Sequence, residues 1–312
     1  MFNPENFVKE KIGWIREEVG DRIAVAAVSG GVDSTTTAVL GFRALGEKLK
    51  IIFLDDGLMR EGESETVVNV FRKMGMDVAI FNVQEKFFEA LKGKIDPEEK
   101  RKIFRETFYQ VLAEIAKSFG AECLLQGTIA ADIVETVKRV KTQHNVLEQV
   151  GINPMEKYGF KVIEPLKELY KHQVREVAKI LGLPEEICNK RPFPGPGLAI
   201  RVLGEVTPEK IEIVRKATKI VEEETKKISC FQSFAVLLND KATGVSENGE
   251  RIYGNIIALR VVRSKDALTA KINKIPYKTL EKIVKRILKE VPNVVRVVYD
   301  LTNKPPATIE WE

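Results

Sequence analysis

Eleven residues, AVSGGVDSTTT at 27–37, break an apolar run with two glycines, an aspartate and five hydroxyl side chains. RIAVAAV (22–28) stands ahead of them and reads as a buried strand; the segment after them has the pattern of a helix. A strand that runs into a tight Gly30–Gly31 turn and then a helix start presents several backbone N–H groups at once. The positive end of the helix favours a phosphate bound against them. Ser29 and Ser34 add hydroxyl donors, Val32 adds a backbone amide, and Asp33 is a candidate magnesium ligand. An ordinary capped helix start uses the same residue types, but it needs only one cap and one glycine. Two other phosphate signatures are absent. No GxxxxGK(S/T) occurs, and GPGLAI at 195–200 lacks the third glycine and the preceding strand of a dinucleotide fingerprint.

The elements that must position this turn alternate. KIIFLD (50–55), DVAIFNV (77–83), AECLLQG (121–127) and KVIEPL (161–166) read as further strands. Helices are expected from about 34 to 45, over 63–75, through 97–120 and over 172–182. In the longest of them Phe104, Phe108, Val111, Leu112 and Ile115 share one face. Strands alternating with helices imply an α/β unit with a parallel sheet, whose ligands gather at the carboxyl ends of the strands. RPFPGPGLAIRVLGEV (191–206) marks a change, its Pro-Gly density fitting a hinge or an ordered functional loop. Beyond it a helix over 208–228, strands at 233–238, 256–263 and 293–301, and a helix over 276–290 predict a smaller α+β domain. The expected domains are 1–190 and 191–312.

Composition narrows the function classes. The 312 residues carry 50 Lys and Arg against 45 Asp and Glu, a net +5 spread along the chain. No basic stripe or tail marks a nucleic-acid binder, whereas a mild positive field suits nucleotides. Cys123, Cys188 and Cys230 lie far apart with no CxxC, which argues against a disulfide framework or a zinc site. MFNPENFVKE has no signal-peptide core and no run reaches the ~18 apolar residues of a membrane span, so a soluble cytoplasmic protein without membrane contact is expected.

SGGVDS after the first strand resembles the signature of the PP-loop ATP pyrophosphatases, which cleave ATP between its α and β phosphates. Further blocks narrow the likeness: FLDDGLMR (53–60), KIDPEEKRK (94–102), QGTIAADIVET (126–136), RPFPGPGLAIR (191–201) and DLTNKPPATIEWE (300–312). In that order they resemble the synthetase (ATP-pyrophosphatase) subunit of the GMP synthetases, from near residue 5 to residue 312. The implied reaction is XMP + ATP + ammonia → GMP + AMP + pyrophosphate, with AMP first transferred to the 2-oxo oxygen of the xanthine ring. The resemblance implies that Ser29, Gly30, Gly31, Val32, Asp33 and Ser34 hold the β and γ phosphates. It sets Asp55, Gly57, Leu58, Gly127 and Thr128 near the rest of ATP. Asp33 and Asp132 are the implied magnesium ligands, since this ion takes only one or two carboxylates beside phosphate and water. Glu135, three residues after Asp132, can face the same site; a solvated helix charge is its other reading.

VKTQHNVLEQVG (140–151) resembles the family's mobile lid loop. Lys141 matches its catalytic lysine and His144 and Asn145 match later positions, while Gln143 stands for a histidine and Leu147–Glu148 for glycines. His144 is read either as catalytic or as structural, and His172 as a surface or capping group. For XMP the resemblance implies Pro194, Gly195, Gly197 and Arg201, with Lys304, Ile309 and Glu310 from the tail. Lys190, Arg191 and Arg201 are the basic side chains open to its 5′-phosphate. A packing strand anchored by Trp311 is the other reading of the tail. Only 28 residues precede SGGVDS, and neither histidine suits a Cys–His nucleophile site. The chain is therefore expected to use ammonium, with ammonia delivered in the cell by a separate glutamine amidotransferase subunit. The resemblance also implies a homodimer through the C-terminal domain.

Overall fold

The computed structural model describes residues 2–137, 151–265 and 267–312. Its first elements are α1 (Pro4–Val19), β1 (Ile23–Ala27), α2 (Val32–Leu45), β2 (Leu49–Asp55), α3 (Glu63–Lys73) and β3 (Ala79–Asn82). Next come α4 (Gln84–Leu91), α5 (Pro97–Ser118), β4 (Ala121–Leu125), α6 (Ala130–Val137), α7 (Pro154–Tyr158), β5 (Lys161–Ile163), α8 (Lys171–Ile180) and α9 (Glu185–Cys188). The last are α10 (Pro208–Glu224), β6 (Gln232–Val245), β7 (Arg251–Arg263), β8 (Lys271–Ile272), α11 (Tyr277–Glu290) and β9 (Val294–Tyr299). The chain divides into two compact units. One holds Met1–Asp56, Gly62–Val83 and Arg105–Lys190; the other holds Gly57–Glu61, Gln84–Phe104 and Arg191–Glu312. Two stretches that precede residue 190 thus belong to the second unit.

In the first unit five parallel strands run in the order β3-β2-β1-β4-β5. Ala24, Val25 and Ala26 of β1 are buried, as a central strand covered on both faces requires. The chain leaves β1 toward β2 and β3, then returns to β4 on the other side. The crevice beyond the ends of β1 and β4 is therefore where the strand order reverses and where a ligand is expected. α1, which the sequence pattern above did not assign, packs against α2 and α8. Its signal was present: Asn3 caps it, accepting from the Asn6 amide at 3.0 Å, and Pro4 opens the first turn.

The second unit is α+β. β6 and β7 form a long antiparallel pair, β8 extends it antiparallel, and β9 lies parallel to β7. Phe234, Val236, Ala258, Val262, Ala270 and Ile309 make one core cluster, with Trp311 packed against it. β6 and β7 reach well past the expected strands. Their distal half, from Asp240 to Val245 on β6, is exposed or half-buried and shows no apolar run from which to read a strand. Among the described residues no helix is long and apolar enough to cross a membrane.

Candidate functional site

β1 ends at Ala27, and Val28 still pairs with the sheet by donating to the Ile52 carbonyl at 2.9 Å. The chain then turns through Gly30, whose φ of 73° lies in the left-handed region. A Cβ there would also run into the Glu63 carboxylate and Val67, so both backbone and space demand glycine. α2 begins at Val32 after Gly31, and no side chain among the described residues caps it. Its first-turn amides thus have no intrahelical partner, and its partial positive charge lies at the loop. Ser34 ties the turn together: its hydroxyl accepts from the Ser29 amide at 3.2 Å, lies 3.2 Å from the Ser29 hydroxyl and donates to the Gly31 carbonyl at 3.2 Å.

Two further segments of the first unit meet this turn. Gly127, after β4, lies so close that a Cβ on it would sit 2.9 Å from the Asp33 carbonyl carbon and the Ser34 nitrogen. The same segment is joined to the entry of α8 by the Ala130 amide, which donates to the Leu169 carbonyl at 3.0 Å. From the first turn of α8, Lys171 reaches the Asp33 Oδ2 atom at 2.5 Å. Asp33 Oδ1 is buried and has no hydrogen-bond partner among the described residues. Thr128 is fully buried and its hydroxyl accepts from Gln126 at 3.1 Å. Asp132 folds back over the start of α6, its Oδ2 accepting from the Ile129 amide at 3.0 Å.

Sequence patterns did not reveal Lys171, nor with it Glu63 and the role of Lys190 at the turn. Glu63 is 5% exposed and pairs with Lys190, whose ammonium also donates to the Gly30 carbonyl at 3.2 Å. Lys190 therefore braces the back of the glycine turn. Glu63 opens α3, and no spacing rule connects it to a lysine so far along the chain.

The arrangement suits an anion held by amides, hydroxyls and a lysine, with a carboxylate oxygen beside it that can ligate a cation. Among the described residues no three His, Cys, Asp or Glu side chains cluster as a metal site. A magnesium ion that shares phosphate oxygens needs no such cluster. The side chain of Glu135 lies outside the described residues, as do Lys141, Gln143, His144, Asn145, Leu147 and Glu148.

Asp55 closes β2, its carbonyl accepting from the Val83 amide at 2.9 Å. Gly57 and Leu58 belong to the second unit. There Arg215 of α10 donates to the Gly57 carbonyl at 2.5 Å and the Met59 carbonyl at 3.0 Å. The Leu58 carbonyl accepts from the Leu198 amide at 2.7 Å. Gly197 has φ 61°, and a Cβ on it would sit 2.4 Å from that carbonyl oxygen. Pro194 is buried and Gly195 half-buried in the same loop.

Arg201 and Glu310, both expected to meet XMP, meet each other. Arg201 is 1% exposed, its Nε and Nη2 donate to the two Glu310 carboxylate oxygens at 3.0 and 2.9 Å, and its plane lies over Phe234 and Phe193. Gln232 adds a donor to Glu310 at 3.0 Å. Arg191 is likewise engaged, with Thr225, Ser233 and the Ile228 carbonyl. Lys304 donates to the Ala267 carbonyl at 2.9 Å, and Ile309 is part of the core cluster. A second buried arginine, Arg260, holds the chain before the tail through Asp300 and the carbonyls of Thr302, Thr308 and Ile309.

Comparison with known proteins gives two matches along the chain. Residues 5–195 match the family model described as NAD synthase, and residues 213–311 the one described as GMP synthase C terminal domain. Over 313 residues the chain is 53% identical to a subunit of GMP synthase (glutamine-hydrolyzing) from Pyrococcus abyssi, covering 99% of this chain and 100% of that one. It is 52% identical to the protein of the same name from Methanopyrus kandleri and 51% to that of Methanocaldococcus jannaschii, with 100% of each chain covered. Among solved structures, NMN synthetase from Francisella tularensis superposes with a TM-score of 0.50 at 18% identity, over 63% of this chain and 78% of that one; this likeness is of fold alone.

Proposed function

Since the chain belongs to this family of glutamine-hydrolyzing GMP synthase subunits, and its residues 5–195 to the wider NAD synthase family, we propose that it makes GMP from XMP, ATP and ammonia, releasing AMP and pyrophosphate. The observation that carries this reading is the uncapped start of α2 behind Ser29–Ser34, in a chain whose residues 213–311 match the GMP synthase C terminal domain. The chemistry asks mainly for positioning and charge neutralisation. The 2-oxo oxygen of XMP attacks the α phosphorus and pyrophosphate departs. Ammonia then adds at C2, and the oxygen leaves as part of AMP. The departing pyrophosphate lies on the amides of 30–34 and the Ser29 hydroxyl. Lys171, held by Asp33, is a cation within reach of that charge. Bound magnesium would neutralise phosphate charge in the same place. Asp33 Oδ1, buried without a hydrogen-bond partner among the described residues, fits it, and Asp132 is the second carboxylate we assign. XMP goes to the 192–197 loop and the tail of the second unit.

Ammonia comes from a separate glutamine-hydrolysing subunit. The support is that the relatives are named as one subunit of a glutamine-hydrolyzing enzyme. The purified chain with XMP, ATP and magnesium is expected to form GMP and AMP in equal amounts from ammonium chloride. With glutamine freed of ammonia as sole nitrogen source it is expected to form neither. Robust synthesis from glutamine by this chain alone overturns the two-subunit reading; absence of synthesis from ammonium overturns the function itself.

A further inference from the structure

A lysine stands fully buried in the first turns of α5. Asp96 caps that helix, accepting from the Glu99 amide at 2.9 Å, and Pro97 opens it. This start sets Lys100 inward with no exposed surface. Its ammonium donates to the Val202 carbonyl at 2.8 Å and to the Glu312 carboxylate at 2.5 Å. The Glu312 carboxylate is itself 6% exposed and also accepts from the Gly204 backbone. Arg101, the next residue of α5, donates to the Glu312 main-chain oxygen. α5 thus grips the residue two positions beyond Glu310. All of these groups belong to the second unit.

A buried ion pair is not needed for stability, since well-packed apolar side chains of similar volume often serve as well or better. What an ion pair adds is register, because a carboxylate accepts Lys100 and the Gly204 backbone in one position only. Burial holds the Lys100 ammonium below its ordinary range and the Glu312 carboxyl above its own, so the pair carries an unrecovered desolvation cost. Arg201 and Arg260 already anchor residues 300–310. Lys100 and Arg101 fix the remaining end, so Glu310 and Ile309 are held from both sides.

We propose that Lys100 is a positioning residue for XMP, a latch that holds Glu312 and through it sets the tail residues Ile309 and Glu310 in their binding places. The inference rests on the function proposed for the chain, in which the tail takes XMP. It assigns Lys100 no contact with substrate.

The test uses the full chain with Trp14→Phe, so that Trp311, beside Glu312, is the one tryptophan and reports the tail directly. In that background Lys100→Met and Glu312→Gln are each expected to raise the XMP KM about tenfold or more, because XMP must then order the released tail itself. kcat at saturating XMP should stay within about threefold, ATP affinity should be unchanged, and Trp311 emission should shift to the red. In the double variant the KM should be no worse than in the poorer single variant, because both changes open the same latch. Single variants with XMP KM within twofold of the parent, or effects that multiply in the double variant, overturn the proposal. If Lys100→Met does not fold, Glu312→Gln, which changes one atom, decides on the same criteria. Parent protein without XMP-dependent turnover refutes the proposed function instead, and the Trp311 shift then still reports whether the latch exists.

Discussion

Asp33→Ala is expected to lower the rate of XMP-dependent pyrophosphate release by about 10²–10³-fold, the usual loss when one electrostatic stabiliser is removed from a transition state. The size follows from two roles in one carboxylate. Oδ2 holds the Lys171 ammonium at 2.5 Å, while Oδ1 is buried without a partner among the described residues and is the oxygen assigned to magnesium. Alanine removes the ligand and releases the lysine together. Asp33→Asn keeps the shape and one acceptor but lacks the charge, so it should lose most of the same activity. Neither change touches the XMP residues, so the XMP KM should stay within about threefold. Initial rates at saturating magnesium are the measurement, with native circular dichroism as the folding control. Near-normal turnover of Asp33→Ala under those conditions removes Asp33 from the chemistry.

Deleting residues 310–312 is expected to abolish GMP formation while ATP binding persists. The structure adds a cost that the sequence did not suggest. Arg201 is 1% exposed and both arms of its fork rest on Glu310, so the deletion leaves a buried charge unpaired. Breaking such a pair costs about 3–5 kcal/mol, which should appear as a lower unfolding midpoint of the second unit. Glu310→Gln separates the two effects. It keeps one acceptor for Arg201, so its stability loss should be smaller, while the XMP KM rises by at least about tenfold through the lost charged contact. Titrating XMP against pyrophosphate release, beside a denaturant melt, distinguishes them. A truncated protein that stays folded and keeps a normal XMP KM reduces the tail to a packing strand.

What was legible in the sequence shares one property: its signal is local. β1, the glycine turn and α2 follow each other directly, and apolar runs mark each strand of the parallel sheet. Where the partner is remote, the signal fades. Lys171 finds Asp33 and Lys190 finds Glu63 only because the sheet brings their segments together. Gly57–Glu61 belongs to the second unit because Arg215 takes up two of its carbonyls, and no apolar pattern announces that. The distal half of the β6–β7 hairpin was invisible because it packs on little, so its side chains need not alternate. The Arg201–Glu310 pair shows the opposite failing. Both residues stood out from the resemblance, but their burial against one another could not be read from either motif.

The most direct test follows the oxygen. XMP labelled with ¹⁸O at the 2-oxo position, incubated with ATP, magnesium, ammonium and the purified chain, should yield AMP carrying one ¹⁸O per GMP formed. Pyrophosphate should be unlabelled. Transfer of AMP to that oxygen, followed by displacement at C2, permits no other destination. Label recovered in pyrophosphate, in orthophosphate or in water, with unlabelled AMP, contradicts activation by adenylation and with it the proposed reaction.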